Sequence, residues 1–229
     1  WVEPRSEASV QVRAAQWRGG TWTAPSTIAD HASIVANWAD TPSLREGKDG
    51  ALVAQWSERL PGDGHATRVL TARSTDRGQT WTGLGPLHDD ASPTEHGFVS
   101  LSTDGEAVRA FWLDGRQMLG GRGAMTLRSA SIGAGVTGEE ALDLSVCDCC
   151  GTSAAATARG PIVVFRDRRP GEIRAISIVR RVDGRWTAPV PVHEDGWRIA
   201  GCPVNGPVVA AAGDRVAVAW FTYAGGRAS

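Results

Sequence analysis

Apolar positions in this chain fall in short runs, some alternating with polar residues and some continuous, and Gly, Asp and Pro punctuate them. Stretches with the three-to-four-residue spacing of an amphipathic helix are scarce. The pattern therefore predicts many short β-strands. One strand type recurs: ALVAQW ending at Trp56, AVRAFW at Trp112, IVVFR at Arg166 and VAVAW at Trp220, at intervals of 56, 54 and 54 residues. A second type follows the first three of these (67–81, 125–135, 173–186), and a partial copy lies at 10–22. A third type precedes each: SIVANW (33–38), GFVSLS (97–102), TSAAAT (152–157) and GPVVAA (206–211). A unit of about 55 residues that reads strand a, strand b, strand c, tight turn, strand d is the pattern of a propeller blade. One such sheet cannot bury both faces alone, but blades packed around an axis can. On this reading the abundant Trp residues fill the wedges between blades.

The tight turns carry a motif. Ser74-Thr75-Asp76-Arg77-Gly78-Gln79-Thr80-Trp81 resembles the Asp-box, S-x-D-x-G-x-T-W, of bacterial sialidases and BNR-repeat proteins. Val182-Asp183-Gly184-Arg185-Trp186 and Gly19-Gly20-Thr21-Trp22 resemble degenerate copies. The stretch from Cys147 to Phe221 is also similar to bacterial sialidase-like proteins in which a CDCC segment precedes a GCPVNGP segment. The resemblance implies an all-β, six-bladed sialidase-like propeller, of which this chain covers about four blades. The alternative is a closed four-bladed ring made by pairing the two terminal half-blades. Residues 1–229 are expected to form a single propeller domain lacking its C-terminal part, with three complete blades over about 30–200.

Composition narrows the function. Lys and Arg number 24 against 25 Asp and Glu, so the basic excess expected of a nucleic-acid binder is missing. No run approaches the 18 apolar residues of a membrane span. Lys48 is the sole lysine, a bias toward arginine that hints at carboxylate recognition. The abrupt start at Trp1 suits a trimmed export product, and the expected location is secreted or periplasmic.

The candidate chemistry lies where each blade begins. The connections into strand a surround the axial mouth and carry Asp30-His31, Glu95-His96-Gly97, Cys147-Asp148-Cys149-Cys150 and Gly201-Cys202-Pro203. His96 and Cys150 each precede their strand b landmark by 16 residues and Cys202 by 18. His31 precedes Trp56 by 25, which is explained by an insertion at 41–49. Thiols and imidazoles converging on an axis suit a thiophilic metal, copper or zinc, held by Cys147, Cys149, Cys150, Cys202, His96 and His31, with Asp148 behind them. An inter-loop disulfide from the CDCC segment to Cys202 is the competing reading, and inert thiols are a third. His65, His88 and His193 read as loop residues.

The other functional class is an exo-α-sialidase-type glycoside hydrolase. The resemblance implies an arginine triad, a Tyr–Glu nucleophilic pair and an Asp acid/base. Phe165-Arg166-Asp167-Arg168-Arg169-Pro170 is a loose match to the family's F/Y-R-I-P motif, with different spacing. Candidates are Arg166, Asp167, Arg168, Glu172 and Tyr223, the one tyrosine, with Arg174 and Arg198 nearby. So thin a set predicts poor sialoside hydrolysis by this chain alone. A third reading is a propeller that only binds a small glycan or a protein, with structural disulfides.

Overall fold

The computed structural model describes residues 1–62, 64–121 and 123–228. The first sheet holds β1 (Val2–Ser6), β2 (Ser9–Ala14) and β5 (Ser26–Asp30), with a small hairpin of β3 (Trp17–Arg18) and β4 (Thr21–Trp22) between the last two. Three four-stranded antiparallel blades follow. They are β6 (Ser43–Glu46), β7 (Leu52–Arg59), β8 (Thr67–Ser74) and β9 (Thr82–Pro86); then β10 (His96–Asp104), β11 (Ala107–Asp114), β12 (Met125–Ile132) and β13 (Val136–Val146); then β14 (Ser153–Thr157), β15 (Gly160–Arg166), β16 (Ile176–Val182) and β18 (Val190–His193), with β17 (Arg185–Trp186) extending a hairpin on β16. β19 (Val208–Ala212) and β20 (Arg215–Ala219) form a last two-stranded sheet. The protein is thus an all-β propeller of four-stranded antiparallel blades. No ladder joins β20 to β1 among the described residues, and the first sheet contributes three strands, one more than the repeat predicts.

The second strand of each blade shows why the repeat works. Alternate residues of β11 serve two different cores. Val108, Ala110 and Trp112 pack with Val53, Val69 and Leu87 of the preceding blade. Phe111 and Leu113 pack with Val163, Phe165 and Val179 of the following one. A strand buried on both faces is apolar on both, with polar residues only where they are paired, whereas a half-buried strand alternates. That accounts for the continuous runs around Trp56, Trp112 and Arg166.

The hairpin from β8 to β9 is closed by its own side chains. The Asp76 carboxylate accepts from the amides of Gln79 (3.0 Å) and Thr80 (2.9 Å) and from the Thr80 hydroxyl (2.6 Å), while Ser74 Oγ accepts from Gly78 N–H (2.8 Å). Gly78 sits at φ +77°, a conformation that favours glycine. Trp81 reaches back to the first sheet through Nε1–H to Ser26 Oγ, 3.1 Å.

Two expectations need correction. The first strand of the second blade is Ser43–Glu46, not 33–38, so residues 41–49 are no insertion. The 33–38 segment makes only an isolated bridge from Ile34 to Glu58, with Ile34 packing against Trp56. The tryptophans divide as well. Trp56, Trp112 and Trp197 are buried, but Trp1, Trp17, Trp22 and Trp38 are more than half exposed.

Candidate axial site

Strands run alternately down and up, so the connections into the first strand of each blade lie on the same face as those between the second and third strands. The connection from β15 to β16 (167–175) therefore stands beside the segment from Cys147 to Thr152. Backbone bonds confirm it: Cys147 N–H donates to Arg166 O (2.9 Å) and Arg168 N–H to Ser145 O (3.2 Å).

Here a cavity of about 320 Å³ is lined by Asp148, Arg168, Glu172, Arg174, Ala200, Gly201 and Cys202. Glu172, held at φ +58°, takes Arg168 Nη2 on one oxygen (2.9 Å) and Arg174 Nη2 on the other (2.6 Å). Those two guanidinium groups, Arg168 first, keep its carboxyl below the usual carboxylate range. Arg174 is 2% exposed. Its Nε and Nη1 hydrogens meet no acceptor among the described residues.

Further carboxylates gather on this face. Asp40 accepts from Ser57 Oγ (2.6 Å) and Phe98 N–H (2.9 Å), and burial raises its pKa. It occupies a place for which the sequence reading offered His31, because β6 starts three residues later, at Ser43. Glu95 is also raised, by burial first and then by Asp40 and Asp148, with His65 opposing. Asp143, beside Asp167, is pushed up to about 6 by burial.

The four cysteines do come together. Cys149 and Cys202 form a disulfide across a Cα–Cα distance of 6.1 Å, joining the mouth loops of successive blades. Cys147 and Cys150 are free and buried, with sulfurs 2.7 Å apart. The hydrogen-bond contact with Cys150 draws the Cys147 thiol down to about 7, while the same contact and burial push Cys150 up.

The histidines do not join them. His31 is exposed beside the first sheet. The fully buried His96 directs Nε2 to Asp90 (3.0 Å) and Asp114 (3.6 Å), and its Nδ1 faces the carbonyls of Thr67 and Thr94. His88 lies in the loop after β9, as expected, but is buried and stacked on His96 with ring centroids 3.9 Å apart. His193 ends β18 and is exposed.

The hydrolase candidates also divide. Arg166 is 1% exposed, and its guanidinium is committed to the backbone carbonyls of Asn205, Arg174 and Phe221 and stacked over Trp197. Asp167 accepts from Arg169 and Ser177. Tyr223 is half exposed and Arg198 is exposed. Only Arg168 and Glu172 of that set line the cavity; Arg174, named beside them, does too. Asp40 was missed because its place depends on where β6 begins.

No family model matches the chain, and no curated protein sequence does. Among solved structures it is similar to the Penicillium chrysogenum α-L-arabinanase, at 15% identity and TM-score 0.54, over 96% of this chain and 69% of that one. It is similar also to a Dyadobacter fermentans protein of unknown function, at 20% identity and TM-score 0.55, over 96% of this chain and 65% of that one. The Streptococcus pneumoniae NanB sialidase matches at 12% identity and TM-score 0.54, over 95% of this chain and 33% of that one. Both named enzymes are propeller glycoside hydrolases, and identities this low carry the fold alone.

Proposed function

We propose that the axial cavity binds a sugar and that the protein is a propeller glycoside hydrolase. Arg174 carries this reading. A guanidinium buried with two unpartnered donors costs free energy, and Arg174 also lines the cavity, so a ligand whose oxygens reach those donors recovers that cost. Glycoside hydrolysis also needs one carboxyl kept protonated and one kept ionised. Glu95 lies outside the cavity lining but on the same face, is raised by burial and by Asp40 and Asp148, the latter in that lining, and is suited to the acid. Glu172, clamped by Arg168 and Arg174, is suited to stabilising a cationic transition state. Arg168 and Arg174 are balanced here by Glu172 and Asp148, so the cavity favours a neutral sugar over an anionic one such as a sialic acid.

The test is a panel of chromogenic glycosides that includes an α-L-arabinofuranoside and a sialoside. Turnover of a neutral glycoside, reduced at least about 100-fold by Glu95→Gln and raised in KM by Arg174→Met, supports the reading. Indifference to both variants overturns it. Membership of the Asp-box group, and export to an oxidising compartment, fit the turn at Asp76 and the Cys149–Cys202 disulfide.

A copper or zinc centre is a second reading. It rests on ligand atoms of Cys147, Cys149 and Cys150 lying within 4.8 Å of one another, and it requires Cys149 to be released from Cys202. Reduced protein titrated with Cu(I) would then form a stoichiometric complex that Cys149→Ser weakens.

A further inference from the structure

The glycosidase reading leaves two of the four mouth cysteines without a role. Cys147 and Cys150 are 0% and 1% exposed, so neither binds substrate nor meets a bulky solute. They are separated by two residues, the spacing of redox-active C-x-x-C dithiols, and their sulfurs lie 2.7 Å apart. The Cys147 sulfur is also 3.9 Å from that of Cys149, and Cys149 is bonded to Cys202. Four sulfurs thus make a bent line of contacts, from Cys150 through Cys147 and Cys149 to Cys202, with the first three all within 4.8 Å of one another. Its buried end is a dithiol and its other end, Cys202, is exposed.

We propose that this line is an internal thiol–disulfide exchange centre. In the first step the Cys147 thiolate attacks the Cys149 sulfur. The Cys147–Cys149 bond forms as the Cys149–Cys202 bond breaks, and the electron pair leaves on Cys202, which takes up a proton. In the second step the Cys150 thiolate attacks the Cys147 sulfur. The Cys147–Cys150 bond forms and Cys149 leaves as a thiolate that is then protonated. One disulfide and two thiols exist before and after. No outside oxidant or reductant is consumed, and two protons pass from Cys147 and Cys150 to Cys149 and Cys202. Exchange of this kind proceeds by direct thiolate attack on a disulfide sulfur, which the contacts along the line allow.

The exchange has a structural consequence. The Cys149–Cys202 bond ties the segment carrying Ala200, Gly201 and Cys202, one wall of the axial cavity, to the neighbouring blade. After exchange that wall is no longer tethered, and a thiol stands at the surface where none stood before. Control of sugar binding by this step rests on the glycosidase reading; the exchange itself does not.

The experiment therefore reads sulfur chemistry and not turnover. Native protein without reductant is incubated with a maleimide–polyethylene glycol conjugate too bulky for the interior, then digested and its disulfides mapped by mass spectrometry. The expected result is progressive modification at Cys202 or Cys149, with Cys147–Cys150 recovered as the disulfide of the modified molecules. Cys150→Ser, which removes the second step, should slow that labelling at least about tenfold. Three outcomes overturn the proposal. One is labelling at Cys147 or Cys150 with Cys149–Cys202 intact, and another is no labelling until the protein is unfolded. The third is recovery of both disulfides in one molecule, which leaves no attacking thiol. Should Cys150→Ser fail to fold, the wild-type map alone decides among these.

Discussion

His88 should make this protein lose stability as pH falls below 6.5. Its ring is 7% exposed and both nitrogens are committed. Nδ1 faces the carbonyl of Asp90 at 2.9 Å and so carries the hydrogen, while Nε2 accepts from the amide of Val69 at 3.3 Å. Protonating Nε2 would set two N–H groups against each other in a buried site, beside the stacked ring of His96. Burial first, then His96, lowers the pKa from 6.5 to about 4. Between those values the unfolded chain binds a proton that the folded chain refuses. This contribution is complete above pH 6.5 and drains away as pH falls through the window. The loss reaches roughly 3 kcal/mol at pH 4, at about 1.4 kcal/mol for each tenfold change in proton activity. Asp143, Asp40 and Glu95 are raised and act in the opposite sense, so the measurement must be a difference. Urea unfolding of wild type and His88→Gln, aligned at pH 7.5, should diverge by about 3 kcal/mol by pH 4, with the variant the less sensitive to acid. Parallel curves, or a His88 titration by NMR near 6.5, would refute the reasoning.

Other outcomes follow from the same contacts. Arg166→Met removes three bonds to backbone carbonyls and the stacking on Trp197, and should cost about 2–4 kcal/mol, read as a lower urea midpoint. Cys202→Ser opens a loop closed over a separation of 53 residues, and on the chain-entropy estimate should lower stability by about 4 kcal/mol in non-reducing urea titrations. If Glu95 is the acid, activity is present below its raised pKa and lost as pH rises through it, and Glu95→Gln should abolish that alkaline limb. Tyr223→Phe should leave any turnover unchanged, because that side chain is half exposed and takes no part in the Arg168–Glu172–Arg174 cluster.

The blade repeat was legible because burial on both faces makes β7, β11 and β15 apolar at most positions, and such runs stand out in any sequence. The innermost strand is not always under that demand: β10 is largely buried, but β6 is not. Of β6, Ser43 is half-buried and Leu44, Arg45 and Glu46 are exposed, while the Arg45 guanidinium donates to the carbonyl of Leu101 in the next blade. A polar tetrapeptide therefore forms strand a, while the more strand-like SIVANW supplies Ile34 to a core from outside any ladder. Hydrophobicity alone points to the wrong segment, and the error carries His31 into the site and leaves Asp40 out.

The same limit applies to every residue placed by counting back from a strand. Position before strand a establishes which loop a side chain belongs to, and that was enough to bring the CDCC segment against Cys202. It does not establish which way the side chain turns. Glu95 and His96 are neighbours in one such loop, yet Glu95 responds to the carboxylates of Asp40 and Asp148 at the mouth, whereas His96 turns inward to Asp90 and Asp114. The difference arises from partners up to 29 residues away, among them Thr67, whose hydroxyl accepts the His96 amide hydrogen while its carbonyl faces Nδ1. Arg166 and Arg174 divide in the same way. One is consumed by three carbonyls of the fold, and the other, in the cavity wall, keeps two buried donors without a partner among the described residues. Arginine content could not separate them; only the count of acceptors around each guanidinium does, and that count makes Arg174 the residue on which a ligand has most to gain.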